Sequence, residues 1–151
     1  MDFSLITPDL FIGTTPAVND YPRLRDLGVG LVINMRFEHP PFPDTHPTPI
    51  RLLWLRTVDS PFFPIPIHKL MRGAAAALET IRDGARVYAH CAGGRLRGVA
   101  MGAAVLVAQG RDPFDAMKLI AERRSIADPF AFYIRPRILK FAQKWDAAQR
   151  A

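Results

Sequence analysis

The segment GLVINM, Gly30 to Met35, is an almost unbroken apolar run of strand length. A strand with one wet face alternates polar and apolar residues, so a run without alternation belongs in a sheet covered on both faces, as parallel sheets are. Three further stretches read as strands: LFIG (Leu10 to Gly13), IRLLWL (Ile50 to Leu55) and RVYAH (Arg86 to His90). Between them the spacing turns helical, over Tyr21 to Gly28 and Ile67 to Gly84, each closed by glycine. After the last strand come three more helical stretches, Leu96 to Gly110, Pro113 to Arg124 and Pro129 to Trp145. This alternation predicts an α/β fold: a single domain over residues 1–151, with a largely parallel central sheet of four to five strands flanked by helices. The stretch His39 to Pro49 carries five prolines in eleven residues and is expected to be a stiff surface loop without regular hydrogen bonding.

Residues 87 to 104 read VYAHCAGGRLRGVAMGAA and contain the only cysteine. In the expected fold Cys91 ends a central strand and is followed by a glycine-containing turn and the start of a buried helix, where open α/β sheets bind ligands. Backbone N–H groups of residues 92 to 97 can turn inward around an anion, helped by the positive end of the helix that begins near Arg97. Gly93 and Gly94 permit the backbone angles such a cradle needs. A field that attracts phosphate also stabilises a thiolate, which makes Cys91 a nucleophile. Arg97 closes the loop with a guanidinium able to hold two phosphate oxygens.

His90-Cys91, five residues and Arg97 together resemble the signature loop of the cysteine-dependent protein-tyrosine and dual-specificity phosphatase superfamily. The resemblance extends to ITPDLFIGTTPA near the start, LRDLGVGLVINMRFE, an Asp-bearing loop after the next strand, and the closing ADPFAFYIRPRILKFAQKW. It covers roughly Leu5 to Trp145, and in its strand–loop–helix context the short motif is a strong one. The resemblance implies a phosphomonoester hydrolase that passes through a cysteinyl-phosphate and needs no cofactor and no metal. It assigns catalysis to Cys91, Arg97 and Asp59, and phosphate binding to Ala92, Gly93, Gly94, Arg95, Leu96 and Arg97. His90 and Gly98 would support the loop.

Asp59, in TVDSPFFP, lies thirty-two residues before Cys91, close to the spacing the family uses for its general acid. Its alternative is an Asp-Ser-Pro turn; Asp44 is the reserve acid, in a less ordered loop, and Asp83 lies too near a strand start. Where the family commonly has Ser or Thr after the loop arginine, this chain has Gly98, which is expected to slow breakdown of the phosphoenzyme. Arg95 has two readings, a second cation at the phosphate or a solvent-facing side chain. An arginine at that position also occurs in a phospholipid phosphatase of the same superfamily.

The formal net charge is +6, with sixteen Arg against four Lys, which suits an anionic partner. The expected partner is a phosphorylated protein bearing phosphotyrosine and, secondarily, phosphoserine or phosphothreonine. An anionic phospholipid or phosphoinositide headgroup is the alternative. A rhodanese-like sulfurtransferase and an inactive phosphate-binding module rank lower, and no aromatic-basic interleaving points to nucleic acid. His39, His46 and His68 lack metal-ligand spacing. Arg123 and Arg124 read as a solvated helix end. Met71, Met101, Met117, Phe130, Phe132, Phe141 and Trp54 read as core, and Trp145 as a surface anchor. The longest apolar run, from Val99, is too short to span a bilayer, no secretory leader is legible, and a cytoplasmic monomer is expected.

Overall fold

A computed structural model describes all residues, 1–151. Five strands form one sheet: β1 (Phe3–Thr7), β2 (Leu10–Gly13), β3 (Val29–Arg36), β4 (Arg51–Thr57) and β5 (Arg86–His90). Their order across the sheet is β1-β2-β5-β3-β4. The four strands from β2 to β4 in that order run parallel, and β1 is antiparallel to β2 at the edge. Five helices complete the chain: α1 (Tyr21–Asp26), α2 (Ile67–Arg82), α3 (Arg97–Ala108), α4 (Pro113–Arg123) and α5 (Arg135–Arg150).

The apolar strands are covered on both faces, as their lack of alternation requires. Leu10, Ile12, Leu31, Ile33, Val87 and Ala89 point into the larger core beneath the helices. Their strand neighbours Phe11, Val32 and Tyr88 point the other way, and Tyr21 and Leu24 of α1 pack with them. Every residue of α3 from Arg97 to Val107 is buried. That helix is rich in Gly and Ala because it is pressed onto the sheet: a Cβ added at Gly102 would overlap Ile12 Cδ1.

Two departures from the sequence reading have physical causes. The N-terminal strand β1 was not anticipated; it is a partly exposed edge strand whose apolar content is modest. The last helix begins at Arg135 and runs to Arg150, later at both ends than expected. Pro136, not Pro129, lies in its first turn. The residues before it are held in turns, with Asp128 N–H donating to the Arg95 carbonyl and Ala131 N–H to that of Asp128.

Because α3 has no room to rise from the sheet at Gly102, Gly102→Val should lower the unfolding free energy by about 1–3 kcal/mol. Chemical denaturation of the two proteins reads this directly, and an unchanged midpoint would contradict the packing described.

Candidate active site

Cys91 leaves the C-terminal end of β5, the strand at the centre of the sheet, and is only 4% exposed. Residues 92–96 make no regular structure, and α3 begins at Arg97. The turn depends on Gly94, whose φ of +62° is left-handed. A Cβ there would also lie 2.7 Å from the Gly13 carbonyl oxygen at the end of β2. Gly93 is open on its side-chain face, Ala92 is exposed, and Leu96 is half-buried against the core.

Two of the loop's carbonyls are drawn to one partner. Arg124 Nε–H donates to the Gly94 carbonyl at 2.7 Å and its Nη2–H to that of Gly93 at 3.2 Å. The same guanidinium holds Asp2 at 3.0 Å and Ser4 Oγ at 3.1 Å on the N-terminal strand. With those carbonyls turned away, the N–H groups of residues 92–96 have no acceptor within the chain. Peptide N–H groups left free at a helix start form an anion cradle.

Arg97 is buried to 4% exposure and clamped along one edge. Its Nη1–H donates to Glu38 Oε1 at 2.7 Å and to the Thr57 carbonyl at 2.8 Å, and Nη2–H donates to Glu38 Oε2 at 3.1 Å. Its Nε is buried with no hydrogen-bond partner. Such a donor is costly unless something supplies an acceptor. The Glu38 carboxyl is held down to about 2, chiefly by its bond to Arg97, so it is ionised throughout the ordinary pH range. Glu38 also accepts from Arg36 at 3.3 Å, Arg36 donates to Thr15 Oγ1 at 2.9 Å, and Thr15 donates to the Cys91 carbonyl at 3.2 Å. The two ends of the loop are thus joined by one chain of hydrogen bonds.

His90 is 1% exposed, and its Nδ1–H donates to the Cys91 carbonyl at 3.3 Å. Burial pushes its imidazole down to about 4; that bond pulls upward against it, and the nearby cations of Arg36 and Arg97 add smaller downward effects. It is therefore neutral near pH 7. Asp59, in the loop between β4 and α2, is exposed and accepts a hydrogen bond from Tyr133 OH at 2.9 Å. A thiol, a cradle of free N–H groups, a fixed guanidinium and a carboxyl at the rim are the components of nucleophilic displacement at a tetrahedral anion.

No family model and no curated sequence matches this chain. Solved structures do. A mouse dual specificity phosphatase complexed with zinc tungstate superposes with a TM-score of 0.84 at 24% identity, over 97% of this chain and 90% of its own. Human DUSP28 gives 0.79 at 24%, over 99% and 95%. PTPMT1 in complex with PI(5)P gives 0.80 at 27%, over 99% of both chains. The chain has the fold of the small dual specificity phosphatases. A surface cavity of about 530 Å³ between Val107, Arg111 and Trp145 shares no residue with the Cys91 loop.

Several expectations change on this fold. Asp44 is not a reserve acid in a loose loop: it is buried and ion-paired to Arg25 at 2.5 Å, and it accepts from Ile50 N–H at 2.8 Å. Burial pushes its carboxyl up, but the Arg25 bond and two backbone donors prevail and hold it down. Arg124 is no solvated helix end, being 3% exposed beneath the loop; Arg123 is exposed. Arg95 turns outward to Asp128 at 3.6 Å, so it stands at the rim. Phe130 and Phe132 are exposed, not core, and Trp54 is half-buried under the Arg56 guanidinium, 4.1 Å from its ring centroid. A Cβ at Gly98 would lie 3.1 Å from backbone atoms of His90 and Cys91, so a Ser or Thr there requires the loop to yield slightly. Glu38, Arg124 and Tyr133 were not singled out from the sequence as site residues. The only signal for Glu38 was an acid just past the end of a parallel strand.

Removing the Arg124 side chain strands the buried Gly94 carbonyl and releases that of Gly93, so Arg124→Ala should cost about 1–3 kcal/mol of stability. Arg123→Ala should cost far less; equal losses in denaturant melts would refute the anchoring role. Acid should act through His90. The unfolded chain takes up a proton near 6.5, whereas the folded imidazole waits until about 4, so stability is full above that window and declines as pH falls through it. Unfolding melts across those pH values should show the decline, and His90→Gln should flatten it.

Proposed function

We propose that this protein is a cysteine-dependent phosphomonoester hydrolase of the dual-specificity type. The observation that carries the reading is the Arg97 guanidinium, clamped on one edge by Glu38 and left with an unpaired buried Nε beside the free N–H groups of the Cys91 loop. A bound phosphate supplies the acceptors that all of these donors lack.

In this mechanism the Cys91 thiolate attacks phosphorus, an S–P bond forms and the P–O bond to the leaving group breaks. Asp59 gives its proton to the departing oxygen. Water then attacks phosphorus and passes a proton to Asp59, and the S–P bond breaks to return inorganic phosphate and the thiolate. Arg97 and the loop N–H groups hold the equatorial oxygens through both steps. Tyr133 holds Asp59 by one carboxyl oxygen, which leaves the other for the proton. Gly98 offers no hydroxyl to the departing thiolate, which makes the second step slower than it would be with Ser or Thr there.

The substrate class expected first is a phosphorylated protein, with phosphotyrosine ahead of phosphoserine and phosphothreonine. A phosphoinositide or phospholipid headgroup is the second reading, favoured by the match to PTPMT1 in complex with PI(5)P. A panel of aryl phosphate, phosphotyrosine and phosphothreonine peptides and phosphoinositides, assayed without added metal, tests both. Cys91→Ser should abolish turnover on all of them, and surviving activity would sink the mechanism. Asp59→Ala should cost roughly 10²–10⁴-fold on alkyl phosphates and much less where the leaving group is already acidic. Equal modest losses would assign the proton to another residue. Sulfur transfer from thiosulfate to cyanide would support the rhodanese reading instead.

A further inference from the structure

The exposed apolar side chains of this protein are not scattered. Of eleven large ones, eight lie in three segments, residues 37–42, 58–63 and 126–132. The first two leave the C-terminal ends of the parallel strands β3 and β4, the same end at which β5 delivers Cys91. The third is fastened to that end by the bond from Asp128 N–H to the Arg95 carbonyl and by Tyr133 OH to Asp59. The most prominent members are Phe62 at 87%, Phe132 at 76% and Phe63 at 63% exposure. Single exposed apolar residues are ordinary, but an aromatic set gathered around one site is a contact surface.

The surrounding charge narrows the partner. Arg56 precedes the second segment, and Arg135 and Arg137 follow the third; none of the three has a carboxylate partner. The acids of the rim are engaged: Asp59 with Tyr133, Asp128 with Arg95, and Glu38 with Arg97 and Arg36. The face therefore offers protruding aromatics among arginines that no carboxylate neutralises, Arg56 stacked on Trp54, Arg137 donating to the Ile65 carbonyl and Arg135 exposed, and the whole chain carries a net charge of +6. A peptide bound as an added strand needs a groove with backbone groups to pair. The cavity on this rim, about 270 Å³, is lined by Pro61, Pro64, Pro136, Phe132, Tyr133 and Arg137, and its three prolines have no N–H to give. Phe62 and Phe63 stand out beside it into solvent. Aromatics at a water interface flanked by Arg without carboxylate partners suit the headgroup region of an anionic bilayer.

We propose that this rim seats on an anionic membrane surface and presents the Cys91 loop to a phosphomonoester in a lipid headgroup. The docking rests on the rim alone, while the choice of substrate rests on the phosphatase reading above. No helix is long and apolar enough to cross a membrane, so the attachment is peripheral.

The test is co-sedimentation of the full chain with vesicles of phosphatidylcholine alone and of phosphatidylcholine with anionic phosphatidylserine. Binding is expected only to the anionic vesicles, weakening as salt is added. The pair Phe62→Ser and Phe132→Ser should reduce that binding about tenfold or more while hydrolysis of a soluble aryl phosphate and the melting temperature stay unchanged. Wild-type protein remaining in the supernatant, or the double variant binding equally well, would overturn the docking. So would a variant that keeps vesicle binding but loses turnover of a phosphotyrosine peptide, since the rim would then be a protein-docking surface. Vesicle binding by a chain that hydrolyses no aryl phosphate would support the docking and overturn the substrate assignment.

Discussion

A guanidinium cannot be buried without an anionic partner, and the site is organised around how Arg97 meets that requirement. Glu38 takes two of its N–H groups and the Thr57 carbonyl shares another, which locks the plane of the side chain and leaves Nε without an acceptor. The partial nature of this pairing matters. A fully satisfied arginine would be a structural strut, whereas this one is held rigidly and still lacks an acceptor. Glu38 comes from beyond β3, Thr57 from the end of β4 and Arg97 from the start of α3, so the ion pair also ties three parallel connections together.

Arg124 performs the complementary task on the other side of the loop. By collecting the carbonyls of Gly93 and Gly94 it sets which way the intervening peptides face, and the N–H groups are left toward the opposite side. The loop's polarity thus depends on a side chain from α4 as much as on its own glycines. The sheet gives both arginines a firm base, because α3 sits on it with glycine at Gly102 and alanines around it. Small displacements of that helix would be felt at Cys91 through a single intervening turn.

What could be read in the sequence and what could not separates along sequence distance. The apolar runs of β2, β3 and β5 identified the sheet because their lack of alternation has one physical explanation. That Cys91 and Arg97 stand at the two ends of one loop was legible because their relation is local, and the position of Asp59 just after β4 because its loop follows a strand in the expected order. The partners Glu38, Arg124 and Tyr133 stand 59, 31 and 74 residues from the groups they hold, and nothing local announces them. Phe130 and Phe132 were read as core on hydrophobicity, which is only a one-way guide to burial. The proline-rich loop was read as a stiff surface loop without regular hydrogen bonding; what that reading did not reveal is its tie to α1, where Asp44 is paired with Arg25 and the Tyr21 hydroxyl donates to the Phe42 carbonyl at 2.5 Å.

The bond from Arg124 to Asp2 spans 122 residues. Contacts of such separation form late in folding, since closing the intervening chain costs entropy that nearer contacts must first offset. A nascent or partly folded chain can have β5 and the glycines in place while the peptides between them still rotate freely. Its cysteine would then have no ordered N–H cradle beside it. The arrangement around Cys91 is a property of the completed topology, acquired when the first strand and the fourth helix come together beneath the loop.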